Sequence, residues 1–211
     1  MSKIFLEILD KTGRDVFLQL RDFDKEGYLA GGNALALQIN HRKSVDFDIF
    51  ISKQINNKIR LKVKKIFGDI KYFVDTSDQI SFYTKNQVSI TVLWYYFNLL
   101  NKPISTKSIP LASVEDIMAD KAYAVGRRAV WRDYVDFFLV IKKNILSLQK
   151  IIRFAEKKFS GEFNSALFLE QLTYFKDIKV MPIEYIGKSY THDEVKSFLE
   201  NQVNYYLNQV I

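Results

Sequence analysis

The strongest constraint on this chain is a change of hydrophobic period part-way along it. Up to about residue 100, short extended runs alternate with short helical ones. Beyond Pro103 and Pro110 the pattern is helical to the end. Such a chain must build its sheet from the first half, because the second half holds no strand material. The expected fold class is therefore α+β, a mixed sheet flanked by helices and followed by a C-terminal helical bundle. With 211 residues, 48% of them hydrophobic, both parts can own a core. The expected division is an α/β unit over 1–110 and a helical bundle over 111–211.

Within the first half, residues 13–26 set Val16, Leu18, Leu20 and Phe23 in a charged background, which predicts an amphipathic helix. A short strand at 28–30 runs into Gly31-Gly32, and Ala34 to Ile39 read as a helix. Residues 45–51 alternate, with Val45, Phe47, Ile49 and Ile51 on one face and Asp46, Asp48 and Phe50 on the other. A basic helix over 54–67 follows. Three runs rich in β-branched and aromatic residues, 70–74, 80–84 and 88–96, extend the same sheet. In the second half, Ser113 with the acidic Glu115 and Asp116 opens a helix to about Gly126. Further helices are predicted over 131–143, 147–158 and 162–174. Thr191 with Glu194 forms a capping-box pattern that starts a last helix to about Asn208. Near its end, Tyr205, Tyr206 and Leu207 are expected to pack on the core, the other reading being a surface for a protein partner.

The residue types narrow the chemistry. The absence of cysteine removes disulfides, thiolate metal sites and a cysteine nucleophile, and the two histidines, His41 and His192, cannot make a multi-histidine zinc site. Hard-cation chemistry on carboxylates is what is left, which points to Mg²⁺ or Mn²⁺. Asp46 and Asp48 supply it: residues two apart on a strand share a face at about 7 Å, and a divalent cation relieves their repulsion. Two ordinary acids on a solvated strand face is the plainer reading, and the regular alternation favours the metal pair. The turn Gly31-Gly32-Asn33, set between a strand and a helix, allows close approach of a phosphate to backbone N–H groups, though a glycine pair alone also fits a simple tight turn. In the helical half, Asp116 and Lys121 stand early in one helix, followed by Arg128, Arg132, Asp133 and Asp136. Arg132 and Asp136 are four apart, and Asp133 and Asp136 three apart, so they can border one face or form a simple helical ion pair. For Asp116 helix capping is as good a reading as a catalytic role.

Taken in order, these pieces resemble a known family. The stretch from Tyr28 through Leu-Ala-Gly-Gly-Asn-Ala-Leu-Ala-Leu, then His41-Arg-Lys-Ser-Val-Asp-Phe-Asp-Ile-Phe, resembles the AbiEii-type toxins, nucleotidyltransferases related in fold to DNA polymerase β. Ala112 to Lys121, Arg128, and Arg132-Asp133-Tyr-Val-Asp136 look like the family's third and fourth motifs. The resemblance covers about residues 28–140. It implies a nucleotidyltransferase-like sheet domain, Mg²⁺ (or Mn²⁺) held by Asp46 and Asp48 against the triphosphate of a bound NTP, and phosphates cradled by Gly31, Gly32 and Asn33. Lys121 is implied as a catalytic point charge, and Ser44, Arg128, Asp133 and Asp136 as nucleotide-binding residues. His41 receives no catalytic role. The family usually has Ser or Thr where this chain has Asn33, and related enzymes place a third carboxylate on the strand over 88–93, where the matching residue is Thr91. Asp75 and Asp133 are the acids that could stand in for it.

The formal net charge is +7 and unevenly spread. From Lys121 to Lys158 there are ten Lys/Arg against three Asp/Glu, and from Lys53 to Lys71 seven basic residues and one Asp. An excess of this kind suits a polyanion such as RNA as readily as it suits ordinary solvated helix faces. The longest apolar run, Val92 to Phe97, is far below the roughly 20 residues of a membrane helix, and the first ten residues lack the apolar core of a signal peptide. A cytoplasmic protein with no membrane role is expected. Its expected function is transfer of a nucleotide to RNA (tRNA-like) or another acceptor, as the toxin of a toxin–antitoxin pair with a cognate antitoxin protein. The alternative is an NTP-binding module that has lost the transfer step.

Overall fold

The computed structural model describes residues 3–128 and 130–210. They fall into two compact units, one of residues up to Ser113 and one from Val114 onward. The segment through Pro110 stays with the sheet, and Leu111 does too. Leu29 N donates to Pro110 O (2.8 Å) and Ala112 N to Leu29 O (2.9 Å), while Leu111 bridges Ile104.

The first unit opens with α1 (Lys11–Gln19), capped by Asp10, whose carboxylate accepts from Gly13 N at 2.6 Å. The expected helix over 13–26 is thus shorter and earlier, and a 3-10 turn over Leu20–Phe23 finishes it. β1 (Gly27–Ala30) passes straight into α2 (Gly31–Ile39), so the glycine pair forms the first helical turn instead of preceding it. Next come β2 (Phe47–Ile51), α3 (Asn57–Phe67), β3 (Tyr72–Asp75), β4 (Gln79–Tyr83) and β5 (Ser89–Trp94). Asn56 caps α3 by accepting from Lys58 N (3.0 Å) and Ile59 N (3.2 Å), which delays that helix past the expected residue 54. A cap of this kind contributes about 1 kcal/mol.

Among the described residues the strands form one five-stranded mixed sheet, in the order β1-β2-β5-β4-β3. Only β2 and β5 run parallel, which requires the long crossover that α3 and the β3–β4 hairpin supply. Register sorts the side chains into two faces. Leu29, Ile49, Val92 and Ile80 lie in one cross-strand row, and Phe47, Ile90 and Phe82 in the next. All are buried, and the Phe67 ring of α3 packs 5.4 Å from Phe82. The opposite face carries Ala30, Asp48, Thr91 and Ser81 in one row, flanked by Tyr28, Phe50, Leu93 and Gln79. The alternation expected over 45–51 holds from Phe47. Val45 is exposed because the ladder begins two residues later.

The second unit is helical: α4 (Val114–Val125), α5 (Trp131–Lys142), α6 (Leu148–Phe159), α7 (Ser165–Thr173) and α8 (His192–Val210). The helix expected over 162–174 starts later, with Asn164 capping Leu167 N (3.0 Å) after a 3-10 turn. Thr191 and Glu194 do make the reciprocal capping box: Thr191 N donates to Glu194 Oε2 (2.7 Å) and Glu194 N to Thr191 Oγ1 (3.2 Å). Val195, Leu199 and Val203 are the residues α8 buries, at helical spacing. Tyr205 and Leu207 are exposed, against the expectation of core packing: Tyr205 lies off that stripe, and burial along it stops at Val203. Among the described residues no helix is long and apolar enough to cross a membrane.

Candidate active site

The site in the first unit is made by a backbone turn and two strands. The β1/β2 register sets Ala30 opposite Asp48, so the next residue, Gly31, passes beside that carboxylate. Gly31 has a φ of +68°, a conformation that favours glycine, and a Cβ there would stand 2.2 Å from Asp48 Oδ2. Gly32 is confined from the other side, where a Cβ would meet Arg42 Nη2 at 2.7 Å and Ser44 Oγ at 3.2 Å. At Gly31 the backbone conformation itself calls for glycine, and at both positions a Cβ would press on a neighbouring side chain. Ala30, the N-cap of α2, offers no side-chain cap, and the open N-terminal N–H groups of a helix favour an anion. Asp46 immediately precedes β2, and Asp46, Asp48 and Thr91 are all half-buried.

Asn33 has a different place from the one expected. It is fully buried, and its Nδ2 donates to Ser44 O (3.0 Å), so it braces the segment leading to the acidic strand instead of facing a phosphate. Ser44 itself is buried beside Gly32. Arg42 is the residue that the sequence did not single out. Its guanidinium is buried, donates through Nη1 to Lys43 O (3.0 Å), and sets Nη2 against the glycine turn. The signal available was only its position just ahead of the acidic strand. His41 is buried just past the left-handed C-cap Asn40.

Thr91 stands in direct register with Asp48 across the parallel β2/β5 pair. Its Oγ1 shares a hydrogen bond with Ser81 Oγ (3.0 Å), to which Gln79 Nε2 donates (2.9 Å). The acids that could replace it are engaged elsewhere. Asp75 lies on the far edge strand and accepts from Arg60 Nε (3.0 Å) and Nη2 (2.6 Å). Asp133 belongs to the helical unit.

The remaining expected residues gather in that second unit. Lys121 Nζ meets Asp133 Oδ1 (2.5 Å) and Asp136 Oδ2 (2.9 Å), and its side chain is only 9% exposed. Its charge is thus met by two carboxylates of the same unit. Arg128 is exposed and reaches Asp133 Oδ2 at 3.7 Å. A second buried cluster was not foreseen: Lys158 Nζ contacts Asp116 Oδ1 (3.1 Å) and Asp120 Oδ1 (2.8 Å). Asp116, in the first turn of α4, is therefore an ion-pair member within the bundle.

Asp46 and Asp48 offer oxygen donors, the kind a hard cation takes. Among the described residues no group of three or more His, Cys, Asp or Glu gathers closely enough to hold a metal alone. Mg²⁺ does not need one, since it commonly takes one or two carboxylates and fills the rest with phosphate and water oxygens.

Comparison with known proteins places the fold. The structure matches two crystal structures from Helicobacter pylori, one solved as a candidate nucleotidyltransferase (15% identity, 96% of this chain and 99% of that one, TM-score 0.55) and JHP933 (15%, 96% and 96%, TM-score 0.54). It also matches MenT4, a nucleotidyltransferase toxin from Mycobacterium tuberculosis, at 12% identity over 93% of this chain and 82% of that one, with a TM-score of 0.62. The chain has a nucleotidyltransferase fold. In sequence it is similar to an uncharacterised Aquifex aeolicus protein, 27% identical over 193 residues, spanning 85% of this chain and 87% of that one. No family model matches. Within this nucleotidyltransferase fold, the cradle of Gly31, Gly32 and Asp48 lies where β1, α2 and β2 meet.

Proposed function

We propose that the chain is a Mg²⁺-dependent nucleotidyltransferase that moves a nucleotide from an NTP to an RNA hydroxyl, acting as the toxin of a toxin–antitoxin pair. The observation that supports this reading is the close packing of the Gly31 backbone against Asp48, where even a Cβ would stand 2.2 Å from Asp48 Oδ2. Asp46 and Asp48 would hold the metal, whose chemistry when bound is to neutralise charge on the triphosphate. The N–H groups at the start of α2 and the Arg42 guanidinium would receive phosphate oxygens. In the transfer, the acceptor oxygen forms a bond to the α phosphorus as the bond to the bridging oxygen breaks. Pyrophosphate leaves with that electron pair. Thr91 cannot take up the acceptor's proton, which would pass to solvent water. The toxin assignment is supported by the toxin among the solved structures of like fold.

The second reading is a binding module that no longer transfers, favoured by Thr91 in register with Asp48. Incubation with labelled NTPs, Mg²⁺ and total RNA separates the two. Transfer of label supports the enzyme, whereas nucleotide binding without any transfer removes it in favour of the module.

A further inference from the structure

The face of the sheet that carries Asp48 continues well past the candidate metal site. Register leads from Asp48 to Thr91 on β5, to Ser81 on β4 and to Val74 on the edge strand β3. Tyr83, two residues beyond Ser81, shares that face. On β3 the register slips between Tyr72 and Val74, with Phe73 at the irregularity. A bulge re-aims the residue it contains, and here it brings the Phe73 ring to 4.9 Å from Tyr83 at an interplanar angle of 33°. The two residues are 54% and 52% exposed. The two rings thus present one paired aromatic surface to solvent at the sheet edge.

The surroundings say what that surface suits. Lys71 lies two residues before Phe73 and Lys85 two after Tyr83, and both are exposed. Lys85 stands beside Gly68, its Nζ 3.8 Å from where a Cβ there would sit. Stacking rings flanked by cations are the recurring means of holding single-stranded nucleic acid, because every base has a π face and every linkage a negative charge. The exposed acids nearby, Asp69 and Asp75, are paired with Lys64 and Arg60, so the fringe stays cationic, which favours a polyanion over a protein partner. The spacing also suits one continuous ligand. At about 4.8 Å per strand, β4 and β3 lie roughly 10 and 14 Å from Asp48, within reach of the nucleotides just upstream of a reacting end.

We propose that Phe73 and Tyr83 form a base-stacking platform for the single-stranded end of an RNA acceptor, with Lys71 and Lys85 meeting its phosphates. The proposal rests on the nucleotidyltransferase reading for the direction of the strand, toward Asp48.

The test is fluorescence anisotropy with a labelled single-stranded oligoadenylate, run beside an abasic strand of the same length and beside calorimetry of Mg²⁺–NTP binding. The double variant Phe73→Ala/Tyr83→Ala should bind the oligoadenylate about 10- to 100-fold more weakly, with Mg²⁺–NTP binding unchanged. The abasic strand should bind the unaltered protein weakly and be insensitive to the double variant. Because both side chains are more than half exposed, an unchanged unfolding midpoint should accompany these results. Phe73→Leu, which keeps the bulk but no ring, should reproduce part of the loss. Equal binding of the oligoadenylate by wild type and double variant overturns the platform, as does equal binding of the abasic strand. Unchanged oligoadenylate binding with loss of a co-purifying protein would reassign the patch to a protein partner and equally overturn it. Failure of NTP to bind at all would sink the nucleotidyltransferase reading while leaving the anisotropy result to stand by itself.

Discussion

The chain keeps its acids in two different settings. In the helical unit, Asp116, Asp120, Asp133 and Asp136 are gathered around two buried lysines, Lys158 and Lys121. In the sheet unit, Asp46 and Asp48 are half-buried beside a glycine turn. Burying a charge costs several kcal/mol unless a partner offsets it, so the helical acids are committed to lysines and removing either side exposes the cost. The sheet acids are only half-buried, so their charges keep part of their hydration. Two aspartates three apart on a helix and two aspartates two apart at a strand look alike as local patterns, yet the first pair meets a buried lysine and the second runs beside a glycine turn.

The largest expected effect tests the structural side of that contrast. Lys158→Met strips the cation from Asp116 and Asp120 and should lower unfolding stability by about 3–5 kcal/mol in a urea titration. A loss under about 1 kcal/mol, the size of a surface pair, would erase the distinction between the two clusters. Next comes Gly31→Ala. The left-handed backbone alone penalises alanine by about 1–2 kcal/mol, and the new methyl group would push against Asp48 Oδ2. Stability should fall by that amount and the Mg²⁺ dependence of nucleotide binding should vanish with it. Gly32→Ala should perturb the Arg42 and Ser44 side instead, weakening nucleotide binding while its metal dependence survives.

A smaller effect concerns Tyr134 in α5. Its hydroxyl donates to Gln171 O (2.9 Å), and burial, followed by the nearby Asp133 charge, pushes its pKa up from 10.0 to about 12. Since the folded value is raised, the stabilisation is complete below pH 10 and is lost as pH climbs through about 12. Tyr134→Phe should cost about 1 kcal/mol at neutral pH and flatten that alkaline decline. An unchanged slope would mean the hydroxyl does not sit in the buried setting described.

Much of the sheet unit was legible because its local period and its burial coincide. Phe47, Ile49 and Ile51 alternate with Asp48 and Phe50, and the fold uses that alternation as written. What the sequence hid is what depends on distant strands or helices returning. Arg42 reaches the glycine turn only because β1 and β2 fold back antiparallel. Lys158 pairs with Asp116, 42 positions away. The spacing of Asp133 and Asp136 announced one helical face but not that Lys121 would occupy it. The bulge at Phe73 is equally silent, since an extra residue in a ladder shows only against its partner strand. Thr91 was the exception. A single position on a predicted strand was matched to the acidic pair, and the register sets it directly opposite Asp48.

The central claim is that Asp46 and Asp48 hold a metal–nucleotide complex against Gly31. Calorimetric titration of NTP, with and without Mg²⁺, into the wild type and Asp48→Asn tests it most directly. The account predicts Mg²⁺-dependent binding to the wild type, loss of that dependence in Asp48→Asn, and an unfolding midpoint that does not fall. Undiminished Mg²⁺-dependent binding by Asp48→Asn, or by Asp46→Asn/Asp48→Asn, would contradict it.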